Sequence, residues 1–337
     1  MRRSVVSQVC VITMLGSVLL APVAPRPANA EGFGLFPVRN FNPVQLLFLG
    51  IPGDRAAVLP KGALDIRTEL AETNTILNEQ TATSSARLKL ETLRSGLFFR
   101  YGLTDKLEVG IEIPAIYEYR GFLNGLISQT ERLTTGLAPP RQQLENTGFA
   151  YNVKQNGQTF FKGTQGAFGQ GDITLSSKYQ LFKESERMPA LSARALVKVP
   201  TGDSTRFLGS GHADVGLGLA AEKTLLARWI AYANVNGVIP TGRVGGLSVR
   251  PYMTGLAAVE YLWTKNFSLV AQFDYYSTPF HDTGFAFLDR GVTEVAAGFN
   301  YRLRNNVLWQ VYGVENLDFI TGSAADFTLS TVMTYRF

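Results

Sequence analysis

Acid–base chemistry in this chain would have to start from His212 or His281, because histidine is the side chain that ionises near neutrality and the 337 residues hold no others. A hydroxyl nucleophile needs such a base within hydrogen-bond reach. His212-Ala213-Asp214 heads a strand-like stretch, His281-Asp282-Thr283 falls in a loop-like one, and neither shows a His-x-Ser spacing. A polar strand face for the first and a solvated loop for the second account for both. Two histidines some seventy residues apart, with no clustered carboxylates, give no metal-ligand spacing. The Gly-rich stretch 163–171 lacks the Lys-Ser/Thr ending of a phosphate loop and fits a flexible loop. No catalytic residue, metal site or cofactor is therefore expected.

The charged side chains carry a stronger signal, because they alternate with apolar ones. Leu64, Ile66, Thr68 and Leu70 alternate with Asp65, Arg67 and Glu69, and Leu107, Val109, Ile111 and Ile113 alternate with Glu108, Gly110 and Glu112. Extending the parity gives one polar face with Asp65, Arg67, Glu69, Lys89, Glu91, Glu108, Glu112, Asp172, Lys178, Arg194, Lys198, Glu222, Asp274, Glu294 and Arg302. If the apolar face meets lipid, turning a basic residue outward near the bilayer midplane costs about 2–4 kcal/mol. These side chains must then line a lumen, either as an ion-pair network that fills it or as the wall of a water path or ligand site. Both outcomes stay open.

Elements that could position them follow from the same period. Twelve strands are predicted, at roughly 62–73, 86–101, 106–119, 171–182, 189–200, 211–223, 229–240, 250–263, 267–278, 292–303, 307–318 and 325–337. The connections after even strands are short, as Thr264-Lys265-Asn266 and Arg304-Asn305-Asn306 illustrate, while those after odd strands are mostly longer. That alternation fits an up-and-down transmembrane barrel with short periplasmic turns and longer external loops. Trp229, Trp263 and Trp309 all fall near predicted short turns, beside Tyr101, Phe267, Tyr301, Tyr335 and Phe337, as an interfacial aromatic belt requires. A soluble sandwich gives the tryptophans no reason to share one end. Lys198-Val199-Pro200-Thr201-Gly202 and Val238-Ile239-Pro240-Thr241-Gly242 both end an upward strand where Pro stops the ladder and Gly permits a turn.

The remaining segments do not alternate. Met1-Arg2-Arg3, the apolar run from Val9 to Ala21 and the small-x-small site Ala28-Asn29-Ala30 read as a cleaved secretory signal peptide over 1–30. Removing it takes away Arg2, Arg3 and Arg26 and no acid, lowering the net charge from +5 to +2, so nucleic-acid binding is not expected. It also removes Cys10, the only cysteine. Residues 31–61 combine Gly and Pro breaks with an apolar run, Val44 to Ile51, too short to span a bilayer. They read as a lumenal plug, a flap over the periplasmic mouth or a first strand. A segment packed into or under the barrel is the favoured reading, with Phe36, Arg39, Asn40, Asn42, Pro43, Leu47 and Phe48 as gate or plug candidates. The connection 120–170 is far longer than an ordinary loop. Phe122, Leu123, Leu126, Ile127 and Leu133 recur there near helical spacing, so a short amphipathic helix is expected, lying across the mouth, folding inward or packing on the rim.

Phe36-Pro37-Val38-Arg39-Asn40-Phe41-Asn42-Pro43, Gly50-Ile51-Pro52, Glu112-Ile113-Pro114 and Gly136-Leu137-Ala138-Pro139-Pro140-Arg141 together resemble an uncharacterised bacterial family, domain-of-unknown-function family 3187. The resemblance implies an outer-membrane barrel and supplies no activity. A histidine often found in that family's loop helix is absent from Gln129–Thr135. Gly169-Gln170-Gly171-Asp172 and Pro200-Thr201-Gly202-Asp203 also resemble, more distantly, transporter-like barrels of phenol-degradation gene clusters.

The expected protein is an exported all-β outer-membrane barrel, 62–337, with an N-terminal plug or flap, 31–61. Its partners would be outer-membrane lipids and the barrel-assembly machinery, which would read the terminal strand through Tyr335 and Phe337. Three functions are carried forward. They are a channel or transporter for a small solute, an apolar one among the candidates, a structural or envelope-assembly barrel with a closed lumen, and an outer-membrane lipid hydrolase.

Overall fold

The computed structural model describes residues 32–317 and 322–337; the expected signal segment lies outside the described residues. Twelve antiparallel strands form the wall: Leu64–Gln80 (β1), Ser84–Gly102 (β2), Leu107–Tyr119 (β3), Ile173–Phe182 (β4), Ala190–Val199 (β5), Asp214–Leu226 (β6), Trp229–Pro240 (β7), Tyr252–Leu262 (β8), Phe267–Tyr276 (β9), Val292–Arg304 (β10), Val307–Asn316 (β11) and Phe327–Arg336 (β12). Each pairs with its sequence neighbour. The wall closes where β12 pairs with β1 in a register running from Asp65 opposite Arg336 to Asn74 opposite Phe327. Closure removes the edges that a strand in lipid could not satisfy. No helix among the described residues is long and apolar enough to cross a membrane.

The outward face of the wall is apolar and exposed. Leu70, Leu97, Leu175, Val197, Leu219, Val235, Ile239, Val259, Phe273, Leu329 and Met333 all point out. A water-soluble sandwich would not leave such a band uncovered. At the short-turn end, which we call inner, aromatic rings meet across neighbouring strands, Trp229 with Tyr261, Phe299 with Trp309 and Phe267 with Tyr301, and along one strand end, Tyr261 with Trp263 and Tyr335 with Phe337. This is the belt expected from the tryptophan positions.

At the outer end β1 and β2 form a tall hairpin that continues past the rest of the wall, with Gln80 paired to Ser85. The long connection after β3 is more ordered than a loop with one helix. It holds helix α1 (Leu123–Thr134), a short helix α2 (Pro139–Gln143), a hairpin of Ala150–Gln155 with Gln158–Lys162, and a strand Ala167–Gln170. The hairpin pairs with the outer half of β2, Ser84 opposite Gln155. The last strand continues β3's pairing beyond Pro114, Ala115 opposite Gln170. Asn156 and Gly157 turn that hairpin at φ 49° and 79°, the left-handed pair that a two-residue type I′ turn requires.

Inside the outer mouth a single apolar cluster joins β2 (Leu88, Leu90), the inserted hairpin (Tyr151, Val153, Phe161), the loop after β9 (Phe280, Phe285, Phe287, Leu288) and the N-terminal segment (Val44, Leu47, Phe48, Leu49, Ile51). All are at most 6% exposed. The barrel is thus capped by side chains from loops far apart in sequence.

Candidate functional site: the occupied lumen

Residues 32–61 run up through the lumen and back down. The ascending limb starts at the inner end, where the buried Glu260 carboxylate accepts from the backbone N–H groups of Phe33 (3.1 Å) and Gly34 (3.2 Å) and from Tyr232 Oη (2.6 Å), Ser268 Oγ (2.5 Å) and Asn300 Nδ2 (3.2 Å). Phe36 stacks on Tyr312 with ring centroids 4.5 Å apart, and its N–H donates to Gln272. Higher up, Asn40 and Asn42 donate to the carbonyls of Ser323 and Ala324.

A short 3-10 turn, Gln45–Leu47, reverses the chain just after the buried Pro43. Lys198 holds this tip, donating to the Leu47 carbonyl (2.5 Å), Asp172 (3.0 Å) and Ser210 (2.6 Å) and pairing with Asp214 at 3.1 Å. Asp214 in turn accepts from the Leu49 N–H, and Tyr252 Oη donates to the Leu49 carbonyl. Phe48 meets the rings of Tyr252 and Phe280 edge-on. The loop beside the tip is pinned by Asp203, whose carboxyl is held down to about 2 by hydrogen bonds from Thr205 and Arg206.

The descending limb leans on the opposite wall. Arg194 donates to the Pro52 carbonyl, Lys178 to Asp54 at 2.9 Å, Ser192 to the Ala56 carbonyl, and the Leu59 N–H to Glu108. Arg55 forms a two-pronged pair with Glu222 at 2.5 and 3.1 Å, a geometry that fixes direction as well as charge. The segment is held by polar contacts along both limbs, by apolar packing at its tip, and by Phe33, Leu35, Phe36 and Val38 of the ascending limb, which pack on wall residues such as Ile230, Val270 and Val314.

Among the lumen candidates from parity, Asp65, Arg67, Glu69, Glu108, Glu112, Lys178, Arg194, Lys198, Asp274 and Glu294 lie on the inner face and are at most 8% exposed, and Arg302 is half-buried there. Two are placed differently. Lys89 and Glu91 sit on the outward face of the tall β1–β2 hairpin, buried beneath the long loop: Lys89 donates to the carbonyls of Leu144 and Glu145, and Glu91 caps α1 by accepting from the N–H groups of Phe122, Leu123 and Asn124. They stand on the part of β2 that extends past the rest of the wall, where an outward charge meets protein and the lipid cost behind the parity rule no longer applies. The true inward set on β2 has the opposite parity, with Arg94, Phe98 and Arg100.

Arg94 is the centre of the midwall network. It pairs with Glu69 at 2.9 Å and with Glu112, which also takes Arg39 of the segment at 2.8 Å. Below it Arg100 reaches Asp54, Asp65 and Glu108, Lys178 reaches Asp54 and Glu108, and Arg336 forks onto Asp65. Sequence parity missed Arg94 and Arg100 because it anchored β2 on Lys89 and Glu91. It missed Asp54, Arg55 and Glu260 because the 31–61 segment has no period from which partners could be read.

Beneath the network the two limbs and the wall enclose a vestibule of about 700 Å³ at the inner end, lined among others by Phe33, Leu35, Arg67, Arg302, Leu308 and Thr334. Above it small voids of about 50 and 30 Å³ lie along the β2–β5 side. Tyr335 and Phe337 are 41% and 66% exposed on the outside of the inner rim.

A family model described as a protein of unknown function (DUF3187) matches residues 11–337. No curated protein matches the sequence. Among solved structures, the COG4313 outer membrane channel from Pseudomonas putida F1 shares 19% identity at a TM-score of 0.58, covering 85% of this chain and 99% of its own. The Ralstonia pickettii toluene transporter TbuX shares 13% identity at a TM-score of 0.42, covering 91% and 98%. The chain is similar in fold to outer-membrane channel barrels.

Proposed function

Because the chain belongs to the DUF3187 family, whose description names no activity, we propose its function from the lumen itself: a gated outer-membrane channel for a small solute, in which residues 32–61 are the gate. One observation carries this reading. The segment enters and leaves at the inner end, so both limbs can withdraw toward the periplasm without threading. Below the tip the descending limb is anchored by hydrogen bonds and ion pairs, which water can replace, while the ascending limb adds the apolar packing of Phe33, Leu35, Phe36 and Val38.

The apolar tip and cap favour an apolar or amphipathic solute over a sugar, since Phe48, Phe161 and Phe280 close the outer mouth. The aromatic pair Tyr335 and Phe337, free on the outer surface, suits recognition by the assembly machinery. A lipid-hydrolase role draws no support: His212 meets the Ser210 hydroxyl through its backbone N–H and carbonyl and not through its imidazole.

The second reading, a structural barrel with a closed lumen, is favoured by the small size of the two upper voids. Single-channel recording in planar bilayers separates the two. Deleting residues 33–50 should raise conductance severalfold over the full-length protein. Unchanged conductance in a deletion variant that still migrates as a folded barrel would leave the structural reading.

A further inference from the structure

The vestibule holds two cations that no ion pair among the described residues takes up. Asp54, Asp65 and Glu108 share Arg100, Lys178 and Arg336, Glu222 takes Arg55, and Glu184 at the rim takes Lys223, while Glu260 behind Phe33 is held by neutral donors. Arg67 and Arg302 make no ion pair among the described residues. Each instead lies over an aromatic ring, Arg67 at 3.8 Å from the Phe98 centroid and Arg302 at 4.6 Å from that of Phe33. Arg67 is 8% exposed, and its Nε is buried without a hydrogen-bond partner. A ring beneath the guanidinium plane stabilises the cation while leaving the N–H edge free to take a carboxylate.

These two guanidiniums belong to one row of the wall. Arg67 on β1 is opposite Thr334 on β12, Thr334 is opposite Leu308 on β11, and Leu308 is opposite Arg302 on β10. Three strand spacings put them roughly 14 Å apart along the wall, with Thr334 and Leu308 between them and Leu35 of the segment also lining the space. A volume of about 700 Å³ is in the usual range of small-molecule sites. The unpaired guanidiniums at the inner end draw an anion toward the vestibule.

We propose that the vestibule is a binding site for a small amphipathic organic anion, a carboxylate on an apolar body, with Arg67 and Arg302 as the charge-recognising residues and Phe33, Leu35 and Leu308 receiving the apolar part. The inference deepens the channel reading and rests on it only for how the solute arrives, because binding is measured on closed protein in detergent.

Benzoate and its neutral isostere benzamide are the probes, titrated calorimetrically into the full-length protein. Benzoate should bind at least tenfold more tightly than benzamide, and Arg67→Gln should abolish the preference while Arg302→Gln weakens it. Thr334→Glu, which supplies an internal carboxylate in the same row, should also abolish it and covers the case that Arg67→Gln does not fold. Absence of benzoate binding, equal affinity for the two probes, or a preference that survives both Arg67→Gln and Thr334→Glu would overturn the site. Unaltered conductance on deleting residues 33–50 would instead sink the gate and leave the site standing.

Discussion

Arg94 shows how much of the lumen hangs on single buried charges. Its guanidinium serves Glu69 and Glu112 together, and all three side chains are at most 8% exposed. Removing one partner of such a pair leaves a buried charge uncompensated, which costs about 3–5 kcal/mol. Arg94→Ala is therefore expected to lower stability by about that amount in urea unfolding from lipid vesicles. A change below about 1 kcal/mol would mean that Arg39 alone can hold Glu112. By contrast Arg132–Glu145, about half exposed on both sides, should contribute little when removed, since exposed pairs are worth about 0–1 kcal/mol. Lys89 and Glu91 teach a related lesson. Residue type and parity placed them in the lumen, yet what covers a side chain decides its cost, and above the bilayer that cover is the long loop.

At the scale of elements, the re-entrant segment is fastened at two places by different means. Its tip is held by Lys198 and the apolar cluster; its start is held by Glu260, which satisfies two backbone N–H groups of a stretch that forms no strand. Orphaning a buried N–H costs about 1–3 kcal/mol. Glu260→Ala should release the ascending limb and make tryptic cleavage after Arg39 several times faster in the detergent-solubilised full-length protein. An unaltered cleavage rate would show that the tip alone retains the segment. The hairpin at Asn156-Gly157 was legible in principle, because Asn-Gly between short alternating runs is a strong turn signal. It was obscured by the apolar residues at 122–133, whose helical spacing set the reading of the whole connection.

For the molecule as a whole, closure by β12 on β1 means that no strand of the wall is left with an open edge. Such a barrel should resist SDS until boiled, and the expected observation is a shift in gel mobility of the membrane fraction on heating. Identical mobility before and after boiling would contradict a closed wall. The amino-acid sequence by itself determined the wall: twelve alternating runs, the alternation of short and long connections and the aromatic belt are local patterns, and a period of two survives without knowledge of any partner. What it left undecided was everything that depends on long-range pairing. The path of residues 32–61, the partners of Arg55 and Glu260, the surplus charge of Arg67 and Arg302 and the cap over the outer mouth arise only when strands far apart in the chain are brought round to face one another. An irregular segment carries no period, so only the shape and charge of the lumen around it could say where it lies.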